Sequence, residues 1–263
     1  MPDAFDGVIF DVDGVLEYQG RAYPGAVELL GELRRRGTVI RILTNSTLKS
    51  RRSAGAKLRA RGFPIENDQV ITASFASAQY LRDRQARSCW VMVKGEGIEE
   101  FHDLVQDPER PEYLVLGDCR DDFSFQNMNR ALKLLVNGAK LVVMIPEVTD
   151  SSMGDLELTV GAYGRMLEDA ARATAVYIGK PSQYMFEIAL DSMGINDRRR
   201  VLMVGDKIGT DIIGARRVGV RSALIKTGEY REGDLDGTVQ PDYVFDSIDG
   251  LRRFLVAAKE GSR

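Results

Sequence analysis

The chain has 263 residues, with 44% apolar and 29% charged side chains and a net charge of −3. That length suits about two domains of roughly 150 residues or one large α/β domain, and the apolar share excludes wholesale disorder. The near balance of charge gives no basic field for nucleic acid or an anionic membrane, and a single histidine, His102, argues against histidine triads and His-rich zinc sites.

Short β-branched apolar runs alternate with longer amphipathic stretches, the pattern of βαβ units around a mostly parallel sheet. Strands are predicted over 7–12, 39–43, 89–93, 113–116, 140–145, 175–178, 201–204, 222–225 and 243–245. A first helix is predicted over 24–36, where Val27, Leu30 and Leu33 recur at three-residue steps before Gly37. Helices over 47–61 and 181–193 stop at Gly62 and Gly194, and glycine is the natural C-cap. Pro181 suits the first turn of the last of them. Loops are predicted around 148–154 and 227–242.

The opening residues lack the basic and apolar segments of a secretion signal. The longest apolar runs fall far short of the roughly 20 residues that span a bilayer. Cys89 and Cys119 make neither a disulfide framework nor a CxxC pair. Short basic clusters at 34–36, 51–52 and 198–200 read as solvated helix ends. A soluble cytoplasmic protein with no nucleic-acid or membrane partner is the expectation.

Four predicted strands end abruptly in polar residues: Asp11-Val12-Asp13, Thr44-Asn45-Ser46, Gly179-Lys180-Pro181 and Gly205-Asp206. In an open parallel sheet the carboxyl ends of the strands share one edge, where ligands bind. If the four are neighbours, these side chains converge on one pocket. Asp11 and Asp13, two apart at a strand end, lean to the same side. Like charges so placed need a cation or an acid–base role, and Mg²⁺, which takes one or two carboxylates plus water and phosphate oxygens, supplies the cation. The plain alternative is a strand-to-turn junction at Asp13-Gly14.

Thr44-Asn45-Ser46 precede a predicted helix, so they read either as an ordinary N-cap or as a phosphate cradle built on free amides. Lys180 is either a surface lysine in a loop or a cation for phosphoryl oxygens. Its Gly-Lys-Pro-Ser setting superficially resembles a P-loop, but Thr174 stands where a Walker motif needs glycine. Asp206 and Asp211 flank the start of a helix expected near Thr210, where one could cap and the other complete a metal site. Gly95-Glu96-Gly97-Ile98 resembles part of a dinucleotide fingerprint with Glu100 in place of its closing glycine. His102, Trp90 and the methionines read as packing or surface residues.

The four motifs, in this order, resemble the haloacid dehalogenase (HAD) superfamily, mostly Mg²⁺-dependent phosphohydrolases, over nearly the whole chain. The long stretch between Asn45 and Lys180 resembles a C2-type cap of the NagD-like class IIA branch. This implies a doubly wound, Rossmann-like α/β core over 1–74 and 175–263 and an inserted α/β cap over 75–174 that sets substrate specificity. Gly117-Asp118, the stretches 127–131 and 137–140, and Thr227-Gly228-Glu229-Tyr230-Arg231 are similar to the phospholysine phosphohistidine inorganic pyrophosphate phosphatase subgroup. Two places depart from many class members: Ile145-Pro146-Glu147-Val148 replaces a Thr-Asn-x-Asp stretch, and Gly209 replaces an aspartate.

The resemblance implies a small phosphorylated substrate and an aspartyl-phosphate on Asp11, with Asp13 as acid and then base. It implies Mg²⁺ held by the Asp11 carboxylate, the Asp13 main-chain carbonyl and Asp206. Phosphate oxygens fall to Thr44, Asn45, the amides around Ser46, and Lys180, while Asp211 orients Lys180 or a water on the metal. A homodimer through the cap is a further implication. Two competing classes are a phosphoacceptor receiver module, whose phosphorylated aspartate ends a third strand, and a non-catalytic phosphate-ligand binder. Dehalogenase chemistry suits Asp13 and Asp206 less well.

Overall fold

In the computed structural model, residues 5–150 and 155–260 are described, the side chains of 257–260 excepted, so part of the loop expected over 148–154 lies outside the described residues. In chain order the elements are β1 (Gly7–Phe10), β2 (Glu17–Tyr18), β3 (Arg21–Ala22), α1 (Ala26–Arg35), β4 (Val39–Thr44), α2 (Arg51–Ala60), β5 (Val70–Thr72), α3 (Ala73–Asp83), β6 (Cys89–Met92), β7 (Tyr113–Leu116), α4 (Phe125–Val136) and β8 (Lys140–Val143). There follow β9 (Thr149–Asp150), β10 (Glu157–Leu158), α5 (Val160–Ala171), β11 (Ala175–Tyr177), α6 (Gln183–Met193), β12 (Val201–Gly205), α7 (Ile213–Arg217), β13 (Arg221–Ile225), β14 (Tyr243–Phe245) and α8 (Ile248–Glu260). Every predicted strand forms, most with an end moved by one or two residues, and Gly37, Gly62 and Gly194 all take positive φ where the helices stop.

All three predicted helices start later than expected, the first at Ala26. The second predicted helix begins only at Arg51, because the carbonyl of Leu48 accepts from Gly97 N instead of opening a helix. The third begins at Gln183 with Ser182 as its extended N-cap, so Pro181 precedes the helix and is not in its first turn.

The chain divides into two units. The first comprises the chain up to Thr44, the segment Ala54–Ile71 and the chain from Lys180 onward. Its six-stranded sheet runs β14-β13-β12-β1-β4-β5. β1 lies between β12 and β4, parallel to both, with Phe10 opposite Val204 on one side and Ile42 on the other. A strand covered on both faces is apolar throughout, and all of Gly-Val-Ile-Phe is buried. α1 packs on this sheet with Ala26, Leu29, Leu30 and Leu33, positions that share one helical face. These residues join Val8, Phe10 and Ile42 in the core.

The second unit comprises Asn45–Ser53 and Thr72–Gly179. Its parallel four-stranded sheet runs β11-β8-β7-β6, and Leu114, Leu116, Leu135, Leu141, Val143 and Leu167 form its core with α4 and α5. Phe123 stacks on Tyr163 with 3.7 Å between ring centroids.

The expectation that four motif-bearing strands are neighbours therefore holds for β1, β4 and β12, and fails for β11. That strand pairs with β8, Ala175 opposite Leu141, and the pairing continues as Ile178 N donates to Val143 O and Gly179 N to Met144 O. These bonds carry residues 175–179 into the second sheet. The units part at 44/45, 53/54, 71/72 and 179/180.

Candidate active site

The last ladder bond of β1 is made by Asp11, whose amide donates to Val204 O at 2.9 Å. One strand over, β12 ends at Gly205 and hands the chain to Asp206. Both carboxylates thus leave adjacent parallel strands at the same edge, as strand polarity requires. Lys180 is only 2% exposed, and its Nζ lies 2.7 Å from Asp11 Oδ1 and 2.7 Å from Asp211 Oδ1. The second oxygen of Asp211 accepts from Thr210 Oγ1 at 3.2 Å and Lys207 N at 3.3 Å. Both oxygens of Asp211 thus face donors.

Asp11, Asp206 and Asp211 each offer an oxygen within 4.8 Å of the others. Burial raises Asp11 well above the usual carboxylate range, with Lys180 opposing and Asp211 and Asp206 adding to the rise. Burial, then Asp211, pushes Asp206 up to about 7. Burial alone would lower the Lys180 ammonium, and Asp11 with Asp211 outweighs it, so the group is held protonated. One ammonium against three clustered carboxylates leaves an excess of negative charge, which a divalent cation would balance. The donor set fits such an ion: Asp206 Oδ2 is spent on Glu229 N at 2.7 Å, leaving the other oxygen for it.

Thr44 is buried at the end of β4, beside β1. Asp13 lies just past β1 and is itself exposed, between the buried Val12 and Gly14, yet crowding of its carboxyl by the surrounding chain raises its pKa, opposed by Lys57. Asn45 and Ser46 belong to the second unit. Asn45 Nδ2 donates to both carboxylate oxygens of Glu147, at 3.0 and 3.2 Å, and Ser46 O accepts from Ala73 N. They do not stand at a helix N-terminus, since α2 starts at Arg51 and Ser50 Oγ accepts from Ser53 N at 3.2 Å. The helix-end reading of Thr44-Asn45-Ser46 is corrected accordingly: Ser50 is the residue with cap geometry.

The segment Gly95–Phe101 is a 3₁₀ turn packed on the chain at Thr47 and Leu48, and a Cβ at Gly97 would lie 2.0 Å from Thr47 O. Close backbone approach explains those glycines without a dinucleotide. His102 is exposed, its Nδ1 3.0 Å from Glu99 O.

One stretch, read in the sequence only as a subgroup likeness, joins these residues. β13 also ends in polar residues, Lys226-Thr227-Gly228, and the strand-end rule could have flagged them. Thr227 Oγ1 donates to Gly14 O at 2.6 Å, and the next turn brings Glu229 N to Asp206. Gly228 has φ +56, and a Cβ there would lie 2.1 Å from Asp206 Oδ2 and 2.3 Å from Gly14 Cα. Gly228→Ala is expected to cost about 2–4 kcal/mol from overpacking and a left-handed backbone. Gly209→Ala, with nothing within 4 Å of its Cβ, is expected to be neutral or to stabilise by up to about 1 kcal/mol. Urea unfolding of the two variants checks this contrast.

The family described as haloacid dehalogenase-like hydrolase matches residues 8–106, and a second HAD-hydrolase-like profile matches residues 177–251. The chain belongs to this family, as one of its phosphatases, an enzyme that hydrolyses phosphoryl compounds. That sets aside the receiver module and the non-catalytic binder.

The chain is 34% identical over 253 residues to the phospholysine phosphohistidine inorganic pyrophosphate phosphatase of Danio rerio, covering 92% of this chain and 91% of that one. It is 31% identical over 241 residues to the haloacid dehalogenase-like hydrolase domain-containing protein 2 of Homo sapiens, covering 92% of each. Among solved structures, the p-nitrophenyl phosphatase from Archaeoglobus fulgidus superposes with a TM-score of 0.88 at 26% identity, over 95% of this chain and 99% of that one. NagD from E. coli K-12 superposes with a TM-score of 0.85 at 24% identity, over 93% and 97%, a likeness of fold. Among the described residues no helix is long and apolar enough to cross a membrane.

Proposed function

We propose that the chain is a Mg²⁺-dependent phosphohydrolase that works through an aspartyl-phosphate on Asp11. The observation that carries this reading is the buried Lys180 ammonium shared between Asp11 and Asp211, with an oxygen of Asp206 within 4.8 Å of both carboxylates. A carboxylate held against an ammonium at a strand end is restrained in orientation, which suits it to in-line attack on phosphorus.

In this scheme one oxygen of Asp11 attacks, the phosphorus–leaving-group bond breaks, and Asp13 gives its proton to the leaving oxygen or nitrogen. Asp13 then takes a proton from the water that cleaves the acyl phosphate and frees Asp11. The raised pKa of Asp13 favours a carboxyl that can carry that proton. Lys180 neutralises charge gathering on the phosphoryl oxygens, and Asp211 keeps it aimed. Thr44, Asn45 and Ser46 are assigned the remaining phosphate oxygens on the strength of the family motif. When bound, Mg²⁺ supplies Lewis-acid stabilisation of the phosphoryl oxygens, and Asp11, Asp206 and the Asp13 carbonyl are the groups that would hold it.

The substrate class is a small phosphate ester, a phosphoramidate or pyrophosphate, and the name of the Danio rerio relative supports the last two. Hydrolysis of a panel containing all three, with and without Mg²⁺, tests the reading. Activity on none of them would overturn it.

We assign the inserted unit the role of a specificity cap and of the dimer contact. The strongly exposed Phe125, Leu156 and Leu158, all in that unit, support the second role. A cytoplasmic setting accords with two free, buried cysteines.

A pH dependence follows from Asp206. Its folded-state pKa of about 7 lies above the ordinary 3.8, so the metal-free folded chain holds this proton more tightly than the unfolded one. The stability it contributes is present below the ordinary value and is lost as pH rises towards 7. Mg²⁺ competes with that proton and restores stability where it has gone. Saturating Mg²⁺ is expected to raise the Tm by at least ~3 °C at pH 8 and by under ~1 °C at pH 5. Equal shifts in thermal scans at the two pH values would remove Asp206 from the metal site.

A further inference from the structure

Glu17 is a carboxylate with no access to solvent, in a strand of two residues just after the first motif. Its Oε1 lies 2.7 Å from Lys57 Nζ and its Oε2 lies 2.5 Å from Arg61 Nη1. Lys57 lies in α2 and Arg61 just beyond its end, four apart, so both reach out from one side of the helix. The Arg61–Glu17 pair is an ion pair without hydrogen-bond alignment, and Arg61 spends its Nε on Gly20 O at 2.7 Å. The hairpin of β2 and β3 is therefore gripped at its base through Glu17 and at its turn through Gly20.

The main chain of Glu17 makes two more bonds. Its N–H donates to Val12 O at 3.0 Å, and its carbonyl accepts from Gly14 N at 2.8 Å. Val12 and Gly14 are the residues on either side of Asp13, which itself bridges to Glu17. The backbone of Asp13 is thus bracketed by one residue, whose own side chain is fixed by two cations. Burying a carboxylate is costly, and an apolar side chain of similar size would fill the space at less cost. A buried ion triplet at this point instead fixes one register of hairpin against helix.

We propose that Glu17 is a positioning residue for Asp13, holding it in place through the Lys57–Glu17–Arg61 triplet. This rests on the acid–base role given to Asp13 above. A misplaced acid matters most when the leaving group needs a proton, and little when it departs readily as an anion. Glu17→Gln keeps the shape and removes the charge. It is expected to lower kcat at least ~10-fold on glycerol phosphate and under ~3-fold on p-nitrophenyl phosphate, with KM within ~3-fold on both.

Amide hydrogen exchange over residues 13–22 is expected to speed up at least ~10-fold in the same variant. Equal losses on the two substrates, no loss, or unchanged exchange would each overturn the proposal. Should Glu17→Gln fail to fold, Lys57→Met, at a side chain 35% exposed, carries the same comparison. If the wild-type chain hydrolyses neither ester, the acid–base reading fails. The exchange experiment still decides whether the triplet fixes the hairpin.

Discussion

Asp11→Asn is expected to lower Mg²⁺-dependent turnover at least ~10⁴-fold, the scale on which a nucleophile is lost, while leaving the fold intact. The site geometry separates the two effects. Asp11 is a mostly buried carboxylate, 14% exposed, whose charged form is disfavoured by burial and by Asp206 and Asp211. An asparagine removes that repulsion, and its amide oxygen can still accept from Lys180. Metal-free stability at pH 8 is therefore expected to stay within about 1 kcal/mol of the wild type, on the stabilising side. Paired kinetics and urea unfolding check both halves. Retained Mg²⁺-dependent hydrolysis would sink the nucleophile assignment, and a large loss of stability would mean that Asp11 is structural.

Lys180→Met is expected to damage activity and fold together. The variant leaves Asp11 and Asp211 buried without the ammonium that lies 2.7 Å from each. Breaking a buried pair from one side costs about 3–5 kcal/mol, and losing the cation at the phosphoryl oxygens costs ~10²–10⁴ in kcat.

The pH signature is specific. In the wild type the raised pKa of Lys180 means its stabilisation persists below the ordinary lysine value and fades only at more alkaline pH. In the variant the stranded Asp11 carboxylate, already disposed by burial to hold a proton, relieves itself by taking one, so the stability loss shrinks as pH falls from 8 towards 5. A second change, Asp11→Asn, is expected to restore about 1–2 kcal/mol at pH 8, because one stranded charge is gone. A pH-independent loss, with no recovery in the double variant, would show that Lys180 acts by packing alone.

Much of this was legible in the sequence, for reasons that differ from residue to residue. Alternation of apolar runs with amphipathic stretches gave the parallel sheets, because strands covered on both faces must be apolar throughout. Asp11, Thr44 and Asp206 were legible because polarity changes abruptly at a strand end. β11 was misplaced because Ala-Val-Tyr carries nothing that distinguishes one parallel sheet from another. Its partner is decided by Leu141 and Val143 opposite it.

Ser50 and Ser46 are chemically alike, so which one caps α2 depends on where Leu48 sends its carbonyl. Thr227 to Glu229 read in the sequence only as a subgroup likeness, because the bond to Asp206 comes from a main-chain amide, which residue type does not encode. Glu17 carries no sequence signal of burial. Its burial becomes tolerable only through cations 40 and more positions later in the chain.

The route of the chain has a consequence for how such an enzyme can be recombined. Two of the four junctions between the units fall at 44/45 and 179/180. On the outward passage the seam divides Thr44 from Asn45, and on the return it divides Gly179 from Lys180. A chimera that grafts a relative's second unit onto this chain must therefore splice inside two of the four sequence motifs. Grafts whose crossovers keep Thr44-Asn45-Ser46 and Gly179-Lys180-Pro181 as unbroken blocks, with the foreign sequence beginning beyond them, leave both motifs in their native sequence.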